Sequence, residues 1–356
     1  MAQNFKGRGA LSNPPPRFEA TRSQAVDDGW YAQELPDSIA TRVVPERARS
    51  IISTNDSPDI PFEQSINPYR GCEHGCSYCY ARPSHAYMGL SPGLDFETNI
   101  FFKQDAAQLL RAELGKRGYV CKPINIGANT DPYQPLEKRL GVTRSILEVL
   151  RDCRHPLTLI TKGTLILRDL DLLAELARDR LVQVMVSLTT LDPGLKRILE
   201  PRAAAPQARL RVIRELVAAG VTTGVLVAPV IPLINDPEIE DLVTAAAQAG
   251  AVRAGYVVLR LPHELKGLFR EWLSEHYPLR AAHVMAVLQE MRGGRDYEPR
   301  FGVRMRGTGP FAELLRRRFE LARARAGLSE GRLPALCTSL FQPPTGTPGQ
   351  MDFDFG

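Results

Sequence analysis

The sequence predicts an α/β protein, a partial (β/α)6 barrel of the TIM type with an N-terminal arm and a helical, basic C-terminal extension. Three observations carry this. Apolar runs of strand length recur along the chain at intervals of roughly 25 to 40 residues. Helical patterns fill the intervals, and small, polar or chargeable residues follow the runs. Runs that stay apolar through their middle fit parallel strands covered on both faces. Six right-handed units leave a barrel open, and chemistry then gathers at the C-terminal ends of its strands.

The first run is Gln64–Tyr69, followed by Ile124–Thr130 (INIGANT), Leu157–Gly163 (LTLITKG), Val182–Thr190 (VQVMVSLTT), Thr222–Pro229 (TTGVLVAP) and Gly255–Leu261 (GYVVLRL). Helical patterns lie between them at Asp105–Arg117, Thr143–Asp152, Arg168–Arg178, Pro206–Ala219 and Asp236–Gln248. Thr143 reads as an N-cap, and Asp236 as a cap with Pro237 at the first helical position. Gly220 and Gly250 stand where helix ends favour a positive φ. Two further helices are expected at His283–Arg292 and Pro310–Ala326, joined by an Arg/Gly-rich connection, before an irregular tail. The organisation expected is an arm over residues 1–60, partly irregular, a core barrel over 61–280, and an Arg-rich extension with a tail over 281–356.

At 44% hydrophobic and 24% charged residues, the composition is that of an ordinary globular protein. The longest apolar run, Val225–Ile234, is interrupted by Pro229 and Pro232 and is far too short to span a membrane. The first residues carry no apolar signal-peptide core, so the expected location is the cytoplasm, where cysteines more often serve metals or redox chemistry than structural disulfides. The net charge of +5 is unevenly spread. Arg280–Arg325 holds eleven arginines, no lysine and five acids, or +6 in one segment. Arginine is the better phosphate-recognising side chain, so this segment is a candidate nucleic-acid contact, with a solvated cationic helix face as the plainer reading.

Three of the six cysteines fall within eight residues, in Asn67-Pro-Tyr-Arg-Gly-Cys72-Glu-His-Gly-Cys76-Ser-Tyr-Cys79-Tyr80. Thiolates this close together usually share a metal centre. One loop supplying three thiolates leaves a coordination position of a 4Fe–4S cluster without a protein ligand. The rival is a structural zinc with His74 or His85 as fourth ligand, although zinc knuckles usually pair two separated Cys-x2-Cys units. Cys121, Cys153 and Cys337 are isolated and read as small buried hydrophobes.

A C-x3-C-x-aromatic-C loop after the first strand of a six-unit barrel resembles the radical S-adenosylmethionine (SAM) superfamily. The resemblance implies that Cys72, Cys76 and Cys79 ligate three irons of a 4Fe–4S cluster and that SAM chelates the fourth. It places Tyr78 near the adenine. The superfamily's Gly-Gly-Glu motif after the second strand is replaced by Gly127-Ala-Asn-Thr-Asp131-Pro-Tyr, so Asn129, Thr130 and Asp131 become the candidates for holding the methionyl ammonium. Lys162 and Ser187, at the ends of the third and fourth strands, are candidates for carboxylate and ribose contacts. The implied chemistry is one-electron cleavage of SAM to a 5′-deoxyadenosyl radical, fed by a donor such as flavodoxin or ferredoxin, with hydrogen abstraction from a substrate.

Within the superfamily, Asn129-Thr-Asp-Pro-Tyr and Thr161-Lys-Gly resemble the spore photoproduct lyase branch, including relatives labelled DNA-repair photolyases. Asn67-Pro-Tyr-Arg-Gly-Cys72 and Ser91-Pro-Gly-Leu-Asp-Phe-Glu97 resemble an uncharacterised bacterial family within it. DNA is therefore the expected substrate class. Radical modification of RNA or protein is one alternative, and a metal-bound nucleic-acid-binding module without catalysis is another. Finally, Gln350-Met-Asp-Phe-Asp-Phe355 resembles the hexapeptide by which bacterial repair proteins dock on the sliding clamp. Its alternation would put Met351, Phe353 and Phe355 on one side of an extended peptide.

Overall fold

The computed structural model describes residues 5–19, 38–328 and 334–344. The clamp-like Gln350–Phe355 segment lies outside the described residues. Among the described residues there are ten strands: β1 (Arg42–Glu46), β2 (Ile52–Thr54), β3 (Gln64–Ile66), β4 (Tyr69–Arg70), β5 (Asn99–Lys103), β6 (Ile124–Ile126), β7 (Leu157–Thr161), β8 (Val182–Ser187), β9 (Thr222–Val230) and β10 (Arg253–Val258). The main sheet has the order β10-β9-β8-β7-β6-β3-β2. Every pair from β3 to β10 is parallel, and β2 adds an antiparallel edge. The six parallel strands are the six expected, and the sheet does not close on itself.

Side-chain period two fixes the register. In β7, Leu157 and Leu159 are fully buried against Val182 and Val184 of β8, while the alternate residues are half-covered. Helices Ala106–Leu114, Val142–Asp152, Leu170–Arg178, Pro206–Ala218 and Ile239–Gln248 cover the outside. One continuous core runs from Ile51 and Ile66 to Leu315 and Phe319.

Helix starts differ from the sequence reading. Thr143 lies inside its helix, whose N-cap is Gly141 at φ 66°. The Glu137 carboxylate instead accepts the free backbone N–H of Thr143 at 3.0 Å, and the Thr143 hydroxyl donates to the Pro132 carbonyl. A capping carboxylate from the preceding turn leaves no local sequence signal. Asp236 opens a short 3-10 turn, Asp236–Glu238, capped by Asn235, and the α-helix starts only at Ile239. Gly220 (φ 80°) and Gly250 (φ 97°) do take the left-handed conformation. The second and sixth strands end sooner than their apolar runs, at Ile126 and Val258.

The arm is partly regular. Its β1 pairs with β5, which pairs with β4, giving a small second sheet beside the cysteine loop, and β2 extends the main sheet. Residues 334–344 lie in coil against the N-terminal ends of the barrel strands, where Cys337 N–H donates to the Arg180 carbonyl and Gln342 N–H to that of Cys153.

The open side of the barrel is spanned by the Arg/Gly-rich connection. Val258 N–H donates to the Met305 carbonyl, so that connection satisfies part of the exposed edge of β10. From the other edge, Asp59 in the loop after β2 accepts Gly302 N–H at 2.7 Å and pairs with Arg304.

Candidate metal centre

Cys72, Cys76 and Cys79 follow β4 in a turn that only glycine could form. Gly71 (φ 79°) and Gly75 (φ 66°) bracket the first thiol, and Cys79 N–H donates to the Cys76 carbonyl. All three cysteines are free thiols, two buried and one half-buried. The loop is tied down from every side. Cys72 N–H donates to the Phe96 carbonyl, Ser77 N–H to Leu199, and Glu73 N–H to the Gln134 side chain.

Beneath it lies a buried ion pair that sequence reading missed. The Arg82 guanidinium donates from Nε to the Cys76 carbonyl at 2.9 Å, from another nitrogen to Gly93 at 2.9 Å, and pairs with Glu97. The Glu97 carboxylate also accepts Gly9 and Ala10 N–H at 2.9 and 2.8 Å, clamping the arm over the loop. Both charged side chains are fully buried. The Ser91–Glu97 stretch had stood out in the sequence only by resemblance, and Glu97 supplies its physical reason.

The strand ends complete the site. Lys162 Nζ, just past β7, lies 2.9 Å from the Tyr78 hydroxyl, 3.3 Å from Glu200 Oε1 and 3.6 Å from Cys76 Sγ. Burial alone would lower the lysine's pKa, but Cys76, Tyr78 and Glu200 outweigh it and raise it. Glu200 in turn pairs with the fully buried Arg209 and accepts the Thr189 hydroxyl at 2.9 Å. Burial pushes Glu200 up, while Arg209 and Lys162 pull it well below the usual carboxylate range. Arg209 also donates to the Ser187 carbonyl, linking the end of β8 to this network. Glu200 and Arg209 lie on a turn and a helix far along the chain, and no motif announces them.

Asn129, Thr130 and Asp131 sit where β6 ends, and they differ in freedom. Asn129 N–H donates to the Asn67 side chain, and its own side-chain amide has no partner among the described residues. Thr130 is buried, with its hydroxyl donated to the Tyr69 carbonyl at 2.9 Å. Asp131 accepts Tyr133 N–H, the Thr161 hydroxyl at 2.6 Å and Lys162 N–H at 2.8 Å, and faces His74 Nδ1 at 3.4 Å. Against the burial that would raise it, His74 and these donors hold Asp131 at about 2. Its carboxylate therefore locks the ends of β6 and β7 to the cysteine loop. Ser187 Oγ reaches the Ala228 carbonyl at 3.4 Å.

The donor set fits a cluster better than a single ion. Among the described residues no group of three His, Cys, Asp or Glu side chains is gathered to hold one metal ion. His85 has Nε2 3.0 Å from the Asn99 carbonyl and packs edge-on to Phe96, while His74 faces Asp131. Neither histidine is placed as a fourth zinc ligand. Three free thiols attached to separate irons do not need to meet at a point. Cys121, Cys153 and Cys337 lie at the other end of the barrel, before β6, before β7 and beside Arg180 at the start of β8. Cys153 alone of the three is buried.

In the arginine helix Pro310–Arg325, three of the five arginines are engaged by carboxylates as follows. Arg316 pairs with Glu313 and Glu320, Arg317 with Glu313, and Arg318 with Glu240 and Asp236 of the neighbouring helical segment.

A six-stranded open barrel whose first strand leads into three free thiols, with the half-buried Lys162 beside Cys76, has the form of a radical SAM fold. The family model of the Radical SAM superfamily matches residues 66–246, just over half of the chain, and the protein belongs to that superfamily of enzymes. It is 41% identical over 221 residues to an uncharacterized protein of Mycobacterium tuberculosis (strain ATCC 25618 / H37Rv), covering 62% of this chain and 65% of that protein's length. An uncharacterized protein of Acidianus two-tailed virus is 28% identical over 267 residues, covering 73% of this chain and 78% of the viral protein. Among solved structures, spore photoproduct lyase complexed with dinucleoside spore photoproduct aligns with a TM-score of 0.57 at 17% identity, covering 80% of both chains. That likeness is one of fold. Among the described residues no helix is long and apolar enough to cross a membrane.

Proposed function

We propose that this protein holds a 4Fe–4S cluster on Cys72, Cys76 and Cys79 and performs radical SAM chemistry on a nucleic-acid substrate, DNA being the preferred class, in the cytoplasm. The observation that supports it most is the half-buried Lys162 with the buried Tyr78, Glu200 and Arg209, facing Cys76 at the C-terminal strand ends. When bound, the cluster would supply one electron to the SAM sulfonium, releasing methionine and a 5′-deoxyadenosyl radical. The chain's part is to bind, orient and exclude water. Lys162 offers a cation for the SAM carboxylate, the Asn129 amide is available to its ammonium, and the Tyr78 ring offers a face to the adenine.

Spore photoproduct lyases use a thiol as hydrogen donor. In this chain the three thiols outside the loop lie at the opposite end of the barrel from the site. This supports a reaction whose hydrogen donor is something other than a cysteine of the described residues.

The test is anaerobic reconstitution with iron and sulfide. The expected result is a brown protein that releases 5′-deoxyadenosine from SAM under reduction, with colour and cleavage both lost in Cys72→Ala, Cys76→Ala and Cys79→Ala. A colourless protein that retains zinc, or a brown one that leaves SAM intact, overturns the reading.

A further inference from the structure

Arg260 stands two residues past β10, at the mouth of the barrel, and among the described residues no carboxylate pairs with it. Its Nε is buried without a hydrogen-bond partner. Its other contacts are weak, with one nitrogen 3.4 Å from the Tyr297 hydroxyl and one 3.7 Å from Met305 Sδ. The residue is half-buried, and a covered guanidinium nitrogen is normally paired because leaving a buried polar group unsatisfied is costly.

The surrounding charges deepen the deficit. Arg292 is almost fully buried nearby and spends its guanidinium on the carbonyls of Val303 and Leu259. Burial and then Arg260 push Arg292 down to about 10. Of the acids in reach, Asp59 feels the Arg260 charge but gives its contacts to Arg304 and Gly302 N–H, and Glu298 is paired with Arg300. The end of β10 therefore carries two guanidinium groups and no uncommitted carboxylate among the described residues.

Tyr80, next to Cys79, lies beside this pair of guanidinium groups. The Arg260 guanidinium lies over the Tyr80 ring, 5.2 Å from its centroid, and the Tyr80 hydroxyl donates to the Ala128 carbonyl beyond β6. The ring thus bridges the mouth from the end of β6 to the end of β10, with 45% of the residue exposed. An exposed aromatic face beside an unpaired guanidinium is the pairing by which single-stranded nucleic acids are held, the base stacking and the phosphate taking the cation.

We infer that Arg260 and Tyr80 form the substrate subsite, in which Arg260 binds one backbone phosphate of a single-stranded or flipped-out nucleotide and Tyr80 stacks its base. This rests on the proposed nucleic-acid reading and moves the contact from the arginine helix to the barrel mouth.

The test uses the reconstituted full-length protein and a fluorescein-labelled single-stranded oligodeoxythymidylate, titrated over a range of salt. The expected result for Arg260→Gln is about tenfold weaker binding at low salt, the loss of one charge-assisted phosphate contact. The slope of log affinity against log salt should fall by roughly 0.7, the value for one phosphate on a single strand. Arg260→Lys, which keeps the charge, should retain the slope while losing part of the affinity. Tyr80→Leu should weaken binding with the slope unchanged. Arg317→Gln, on the exposed helix, should leave both quantities as in the parent. Equal affinity and slope in Arg260→Gln overturns the inference, as does a parent protein with no salt-dependent binding. A raised SAM dissociation constant in Arg260→Gln with oligonucleotide binding intact also overturns it, by assigning the arginine to the cofactor. Cluster colour and SAM cleavage by the parent are scored separately, so failure of the subsite is distinguishable from failure of the radical SAM reading.

Discussion

Lys162 and Tyr78 meet with 2.9 Å between ammonium nitrogen and phenol oxygen, which joins the end of β7 to the middle of the cysteine loop. Glu200 touches both and is neutralised from the far side by Arg209. Two cations, the half-buried Lys162 and the buried Arg209, thus share one fully buried carboxylate.

Removing that carboxylate strands both cations. Glu200→Gln should destabilise the fold by about 3–5 kcal/mol, the usual cost of leaving a buried charge unpaired. Urea unfolding of the metal-free protein measures it. Because Arg209 is the main partner, Glu200→Gln combined with Arg209→Met should cost clearly less than the two changes summed. Simple additivity would show that the pair is not coupled as the geometry requires.

The arm crosses the loop at Gly9, where a Cβ would meet the Gly75 carbonyl oxygen at 1.7 Å. No side chain fits, and the obstacle is backbone. Gly9→Ala should therefore lift the arm away from Glu97, costing about 1–3 kcal/mol as overpacking does. It should also speed maleimide labelling of Cys72 and Cys76 in the metal-free protein. A labelling rate equal to the parent's would show that the arm does not shield the thiols.

Two buried histidines set a pH limit on stability. Burial lowers His85 and His155 to about 4, each from an ordinary 6.5. The folded state thus holds them neutral while the unfolded chain takes up protons below 6.5. Their contribution is complete above pH 6.5 and is lost as pH falls from there toward 4. Each is worth up to about 3 kcal/mol across that window, at 1.36 kcal/mol per unit. His155 lies 2.8 Å from the Tyr119 hydroxyl and packs against Phe341. His155→Gln should roughly halve the fall in unfolding free energy between pH 6.5 and 4. An unchanged slope would remove His155 as a contributor.

The sequence by itself determined the strand rhythm, the open six-unit barrel and the cysteine loop. Apolar period and C-x3-C-x2-C spacing are local properties, and they survive being read one residue after another. It also marked Lys162 and Asp131, since the positions after a strand in such a barrel face one end.

Tertiary structure decided everything that depends on pairing at a distance. Glu97 under the loop, Glu200 with Arg209 beneath Lys162, and Asp59 across the open edge are ordinary acids in the sequence. Each acquires its role only from a cation or backbone N–H brought to it by the fold. The same applies to charge. Between residues 280 and 325 the sequence displays a surplus of arginines, but Asp59, Asp236 and Glu240 from outside that segment pair with two of them, Arg304 and Arg318. Arg260 is set apart by its place, since the last strand ends where the described residues bring no uncommitted acid to it.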